Sequence, residues 1–299
     1  MRRYNFGATI LGTLAAAFIG TSTGDARSDV VPYHFQGITP DQAEFLSSPD
    51  YIISVVVSGA PMQIWEALEH GERVECMACV SVVAPLMYSA NPQNREIAAW
   101  WLRRRMIGVF GPGEVYEETL KTLSSDSDAT RRAYAASAVG EFLTQAGIAP
   151  LANALRHDAS AMVRQYAASA LGRLNDDGGG ALSAAMVDSD ENVRIAALTA
   201  ATRINSFTEE TSAVGALGDS NAVVRRRAAM LLDEMRAPGA VAALVIVAQK
   251  DPDVSVRVAA CHALGSIRDP AAQSALTSIS TRDASSLVRD VALIALQEL

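Results

Sequence analysis

The sequence predicts an all-α superhelix of stacked helix pairs, with a helical cap at its N-terminal end. Three observations carry this. An Asp stands six residues before an Arg in six places: Asp126/Arg132, Asp158/Arg164, Asp188/Arg194, Asp219/Arg225, Asp251/Arg257 and Asp283/Arg289. With Arg95 as a degenerate first copy, the Arg positions are separated by 37, 32, 30, 31, 32 and 32 residues, and a fixed period in this range marks stacked supersecondary units rather than one globular core. The chain is also 49% apolar but only 6% aromatic, with much of the apolar content in Ala, which suits close helix–helix packing.

The length of 299 residues would suit two ordinary domains, but a repeat array evades that count because each unit is buried against its neighbours. The formal net charge of −8 argues against nucleic acid as partner, since phosphate binding needs a basic surface. At the N-terminus, Arg2 and Arg3 precede an apolar stretch, Phe6 to Ile19, and then small residues. Gly24-Asp25-Ala26 fits the small-x-small rule. Residues 1–26 therefore read as a secretory signal peptide, which places the protein in the periplasm or outside the cell. The rival reading is a retained anchor, but the apolar core is shorter than the ~20 residues that span a bilayer. Cleavage would remove two Arg and one Asp and leave a net charge of −9, with no membrane span.

Residues 27–88 are expected to form the helical cap region. Residues 27–48 look extended, with Asp41 expected to cap a short helix through Leu46. Ser48-Pro49-Asp50 is a stronger helix start. The run Tyr51 to Ser58 is β-branched and strand-like by propensity, yet helix is favoured because no partner strand is visible. Pro61 opens Met62 to His70, and Gly71 stands where that helix should stop. Glu72 to Tyr88 is expected to be the next helix, with Val74, Met77, Ala78, Val82 and Leu86 on its inner face and Pro85 kinking or ending it.

Residues 89–299 read as the array, about seven units. First helices precede each Asp, as in Glu114–Leu123, Pro150–Leu155, Val241–Gln249 and Ala271–Ile279. Second helices follow, roughly over 129–143, 160–174, 190–204, 221–235, 253–267 and 285–298. The Gly-rich break Asp177-Gly178-Gly179-Gly180 reads as a turn between units. The Asp should accept the free N–H groups at the start of the second helix. The Arg, with its planar fork of donors, should bridge an Asp or backbone carbonyls of its own or an adjacent unit. The Ala pair after each Arg lets helices approach, and Leu102, Leu171, Leu232, Leu264 and Leu296 fill the core. Gly140, Gly172 and Gly265 should ease the helix ends.

This pattern resembles the HEAT-repeat family, and in particular the short HEAT-like repeats of phycobilisome lyases. The resemblance implies a right-handed α-solenoid whose concave face binds other proteins. It also implies that the twelve Asp and Arg positions are frame residues. Among HEAT-like enzymes, deoxyhypusine hydroxylase binds iron through repeated His-Glu dipeptides. The residues after His34, His70, His157 and His262 are Phe35, Gly71, Asp158 and Ala263, so that motif is missing. A lyase of the phycobilin type would belong in a photosynthetic cytoplasm, which export contradicts.

Chemistry has two candidate places. Cys76 and Cys79, one turn apart, suit a local disulfide, packed thiols, a redox pair or a metal site. Val80 follows the second Cys where c-type haem attachment needs His, and the nearest further zinc ligands, His70 and Cys261, make a weak set. Cys261 itself falls on a core position and reads as a small hydrophobe. The second place is Trp100, Trp101, Arg103, Arg104 and Arg105. It reads either as a bulky capping unit or as a docking surface, since Trp and Arg are enriched in binding hot spots. The expected role is an exported, non-enzymatic scaffold that binds another protein and needs no cofactor. The alternatives are an accessory redox subunit using Cys76/Cys79, or a lyase- or hydroxylase-type enzyme.

Overall fold

The computed structural model describes residues 39–106, 113–175 and 179–299. The expected signal peptide and the lead-in up to Ile38 lie outside the described residues, as do residues 107–112 and 176–178, which include part of the expected Gly-rich turn. Among the described residues there are seventeen α-helices and no strand. The described residues from Glu44 to Leu299 belong to one compact unit.

Helix α1 spans Pro40–Leu46. Thr39 and Gln42 open it reciprocally: the Thr39 N–H donates to Gln42 Oε1 at 2.8 Å and the Gln42 N–H donates to Thr39 Oγ1 at 3.3 Å. Asp41, expected as the cap, lies inside the first turn instead. Helix α2 (Pro49–Ser58) contains the β-branched run. Ser48 caps it by accepting the Tyr51 N–H at 3.2 Å, and Ile52 and Val56 are buried one turn apart. Helix α3 (Pro61–His70) buries Ile64, Ala67 and Leu68 and ends at Gly71. Gly71 has φ −81°, so it is not there for a left-handed cap. A Cβ at this position would collide with the Ile52 side chain.

Helix α4 covers only Met77–Val83, with Cys76 as its N-cap, and a 3₁₀ turn at Ala84–Tyr88 follows it. The expected start at Glu72 is therefore wrong, because residues 71–73 form a separate 3₁₀ turn. The late start shifts the helical phase: Cys79, Val83 and Met87 are buried, while Met77 is 62% exposed. Pro85 has the expected effect of ending regular helix.

Helix α5 is Pro92–Met106. The array proper follows: α6 (Glu114–Ser125), α7 (Ala129–Glu141), α8 (Ile148–His157), α9 (Ala161–Leu174), α10 (Gly179–Ala185), α11 (Glu191–Ala201), α12 (Glu210–Ala216), α13 (Ala222–Met235), α14 (Val241–Lys250), α15 (Val254–Ile267), α16 (Gln273–Arg282) and α17 (Ser286–Glu298). Gly179 and Gly180 thus open α10 rather than forming the expected turn. The second helices α7, α9, α11, α13, α15 and α17 stack on one another in chain order, and each packs on the first helix of its own pair. The result is an α-solenoid built from helix pairs.

Two apolar cores result. One runs through the pairs from Leu123 to Ala295 and is rich in Ala. The other lies at the N-terminal end, where α2, α3, α4 and α5 enclose Trp101, Leu68, Met87 and Phe142. Gly140, Gly172 and Gly265 lie inside their helices rather than past the ends. A Cβ on them would come within 2.7, 2.7 and 2.8 Å of Ala170, Ala200 and Ala295 in the next unit. Their role is to let successive second helices touch backbone to backbone, and not to ease the helix ends.

Candidate partner-binding surface

The repeat Asp does not cap the second helix. In four units it is the C-cap of the first helix, as with Asp126, Asp158, Asp251 and Asp283. The N-cap stands two residues later, at Asp128, Ser160, Asp190, Asn221, Asp253 and Ser285. The Asp carboxylate accepts that residue's N–H at 2.8–2.9 Å, from Asp126 through Asp283. This Asx turn aims the remaining carboxylate lone pairs back along the stack, where the preceding unit's Arg meets them.

The meeting is bidentate in all five joints. Arg132–Asp158, Arg164–Asp188, Arg194–Asp219, Arg225–Asp251 and Arg257–Asp283 each make two N–H···O bonds of 2.7–3.0 Å. The same guanidinium donates through Nη1 to the main-chain carbonyl of its own unit's Asp, at 2.7–3.0 Å from Arg132 to Arg289. Each Arg from Arg132 to Arg257 therefore ties its own turn to the next unit's turn. Burial alone would raise the Asp158, Asp188, Asp219 and Asp251 carboxyls. The Arg hydrogen bonds, the Asx N–H and charge attraction outweigh it and hold all four below the usual carboxylate range. For Asp283 the Arg257 hydrogen bonds are themselves the largest influence.

The first joint departs from the rule. Arg95 keeps its own-turn contacts, to the Ser89 and Ala90 carbonyls at 2.7 and 3.0 Å. Its guanidinium carbon lies 3.9 Å from the Tyr134 ring centroid, and Asp126 pairs with Arg131 at 2.9 Å instead. The Asp128 N–H and the Arg131 hydrogen bond hold the Asp126 carboxyl low.

The expected Trp/Arg docking patch divides in two. Trp101 is fully buried, and its indole N–H donates to the Gly71 carbonyl at 3.0 Å. Arg105 lies over the Trp101 ring and donates to the carbonyls of Trp101, Gly71, Glu72 and Val74 at 2.6–3.0 Å. Desolvation, helped by the neighbouring Arg104, lowers this guanidinium to about 10, so it stays charged at neutral pH. Trp101 and Arg105 are thus a clamp between α5 and the 71–74 turn, unavailable to a partner, because the bulky side chain at a small-residue position is accommodated by the cap. Arg104 is exposed and pairs with Glu72 at 3.1 Å. Arg103 and Trp100 are half-buried at the surface.

Trp100 belongs to a stripe that the sequence made visible only in part. The position five residues after each frame Arg is occupied by Trp100, Ser137, Ser169, Thr199, Met230, His262 and Ile294. All seven are half-buried or exposed. Three residues earlier on the same helix faces stand Tyr134 and Tyr166, with ring centroids 6.2 Å apart. Four residues later, Glu141 and Arg173 form an ion pair between units. His262 Nδ1 meets Asp233 Oδ2 at 2.9 Å, again across a joint. Comparing this offset across copies would have exposed the stripe, since it varies in chemistry where the position three after each Arg is Ala in every copy.

Cys76 and Cys79 form a disulfide, with Cα atoms 5.2 Å apart. Cys261 is free and buried, and desolvation pushes its thiol up to about 12, so it behaves as the expected core hydrophobe. Among the described residues no group of three His, Cys, Asp or Glu side chains is arranged to hold a metal ion, and no helix is long and apolar enough to cross a membrane.

A family model described as HEAT repeats matches residues 116–200, 148–214 and 211–297, together more than half of the chain. The chain belongs to the HEAT-repeat family. Among solved structures, this HEAT array is similar to the YibA protein of E. coli, with TM-score 0.56 and 18% identity, covering 86% of this chain and 96% of that one. It is also similar to the Kap95p chain solved with RanGDP, with TM-score 0.51 and 15% identity, covering 84% of this chain and 41% of that one. The phycocyanin lyase complex CpcE–CpcF from Nostoc matches at TM-score 0.41 and 22% identity, over 76% of this chain and 90% of that one. At these identities the likeness concerns the fold alone. No curated protein matches the sequence.

Proposed function

We propose that this chain is an exported, non-catalytic HEAT scaffold that holds another protein along the outward stripe of its second helices. The observation that carries the reading is the contrast between a constant frame and a varied face. Frame positions repeat the same Asp, Arg and Ala from unit to unit, whereas Trp100, Ser137, Ser169, Thr199, Met230, His262 and Ile294 differ at one accessible offset. Repeat proteins use such a face for recognition because the frame fixes side-chain positions in advance. Trp100 is the aromatic anchor of this stripe, and Arg103 and Arg104 flank it. The charged start, apolar core and small-x-small site of residues 1–26 support export.

The test is affinity capture with the chain lacking residues 1–26. The double variant Trp100→Ala with Met230→Glu should lose its partner while keeping the helical circular dichroism of the parent. Capture of the same partner by parent and variant would sink this reading.

A further inference from the structure

Beyond the scaffold reading, and independent of it, the geometry points to a thiol–disulfide exchange site at Cys76–Cys79, with Cys76 as the attacked sulfur and a dithiol as substrate. We propose it on the placement of the two sulfurs. Cys79 is fully buried, whereas Cys76 lines a cavity of about 310 Å³ together with Met77, Val80, Leu102, Arg105 and Glu114. Of the two residues only Cys76, 9% exposed against 0% for Cys79, lines this cavity. That asymmetry separates an attacked Cys from a resolving Cys.

Both sulfurs also have partners that suit the reduced pair. The Cys79 N–H points at Cys76 Sγ at 3.0 Å, a donor for a thiolate at Cys76. Cys79 Sγ lies 3.8 Å from the Pro49 carbonyl oxygen, an acceptor for a thiol at Cys79. The Arg105 guanidinium favours negative charge in the cavity and the Glu114 carboxylate opposes it. The disulfide ties residues only three apart, at the start of α4. Opening it releases no long-range tie, because the Trp101 and Arg105 clamp holds α5 to the 71–74 turn by other bonds.

In the exchange, a substrate thiolate attacks Cys76 Sγ. The Cys76–Cys79 bond breaks, and Cys79 leaves with the bonding pair and takes up a proton. The substrate's second thiol loses its proton and attacks the substrate sulfur of the mixed disulfide, and Cys76 leaves as thiolate. The substrate dithiol is oxidised to a disulfide by two electrons, and the Cys pair is reduced by the same two.

Dithiothreitol serves as probe with the full mature chain. The native disulfide should be reduced at least as fast as the same disulfide in the urea-unfolded chain, and Cys79→Ser should accumulate a mixed disulfide with glutathione at Cys76. Native reduction slower by about tenfold or more would overturn the proposal. So would a Cys79→Ser chain that keeps its parent circular dichroism and yet gains no glutathione at Cys76. The reduction rate needs no variant, so a misfolded Cys79→Ser chain leaves the test intact.

Discussion

The two ends of this solenoid are held by opposite strategies. Between α7 and α17 the same joint recurs, in which a bidentate Arg–Asp pair and small residues let helices touch. Between α2 and α5 no element repeats, and one large residue, Trp101, fills the space with Arg105 stacked on it. Stability in the array is spread over equivalent joints. In the cap it rests on a non-repeating core whose largest side chain, Trp101, packs with Ile52, Leu68, Met87 and Phe142. A residue in the cap should therefore matter more individually, and a residue in the array should matter through its neighbours.

The sharpest way to break this contrast is Trp101→Ala. The change removes the largest fully buried side chain and leaves the Gly71 carbonyl with the Arg105 bond alone. Truncation of a buried Trp costs about 4 kcal/mol. Urea unfolding followed by tryptophan-independent circular dichroism should show an early transition for residues near 44–106 and a later one for the array. A single transition with an unchanged midpoint would show that the cap does not depend on Trp101.

Next in size is a comparison within the array. Arg225 makes two bonds to Asp251 and two to the Asp219 and Ser220 carbonyls, and the Asp251 side chain is 5% exposed. Arg225→Ala leaves that buried carboxylate without its cation and should cost about 3 kcal/mol. Arg289 keeps the carbonyl bonds to Asp283 and Ala284 but holds no carboxylate among the described residues. Arg289→Ala should cost less than about 1 kcal/mol. Equal losses in the two variants would mean that the own-turn carbonyl bond, and not the joint, carries the stability.

Gly172→Ala tests the close approach of the second helices. The added methyl would meet Ala200 at 2.7 Å, and overpacking of this kind costs about 2 kcal/mol. Helix propensity alone would make the same change favourable by up to about 1 kcal/mol. The sign of the change in urea midpoint decides between the two.

How far the sequence reached follows from this division. The array was legible because a ladder repeats its own evidence: six Asp–Arg steps fix the period, and the period fixes the fold. The Arg bridge to an Asp or to carbonyls of its own or an adjacent unit was legible but its division was not: the Asp six residues upstream offers a carbonyl, while the carboxylate comes from 24–26 residues downstream. The N-capping role assigned to that Asp failed for the same reason, because the Asx turn places the true cap two residues later. In the cap no period was available, so α4 was started five residues early and its inner face was read out of phase. Trp101 and Arg105 were open to two readings, a bulky capping unit or an interface, and the residue types alone did not choose between them. Only the fold shows that the 71–74 turn already occupies them.

The smallest effect per residue is electrostatic, and it too should separate the two regions. The Asp158, Asp188, Asp219, Asp251 and Asp283 carboxyls are held below their ordinary range in the folded chain. A depressed folded-state pKa stabilises the fold above the unfolded value, which is about 4 for Asp. That stabilisation is lost as pH falls through the lower folded value. The Arg partners are shifted upward and remain charged throughout, so they add no second window near neutrality. Stability of the array should be flat from about pH 5 to pH 8 and fall below about pH 4, with proton uptake on unfolding. The Trp101 and Arg105 clamp contains no carboxylate, so the cap transition isolated by the urea experiment should move less over the same acid range. If the cap midpoint falls as steeply as the array midpoint below pH 4, then the acid loss does not originate in the Arg–Asp joints.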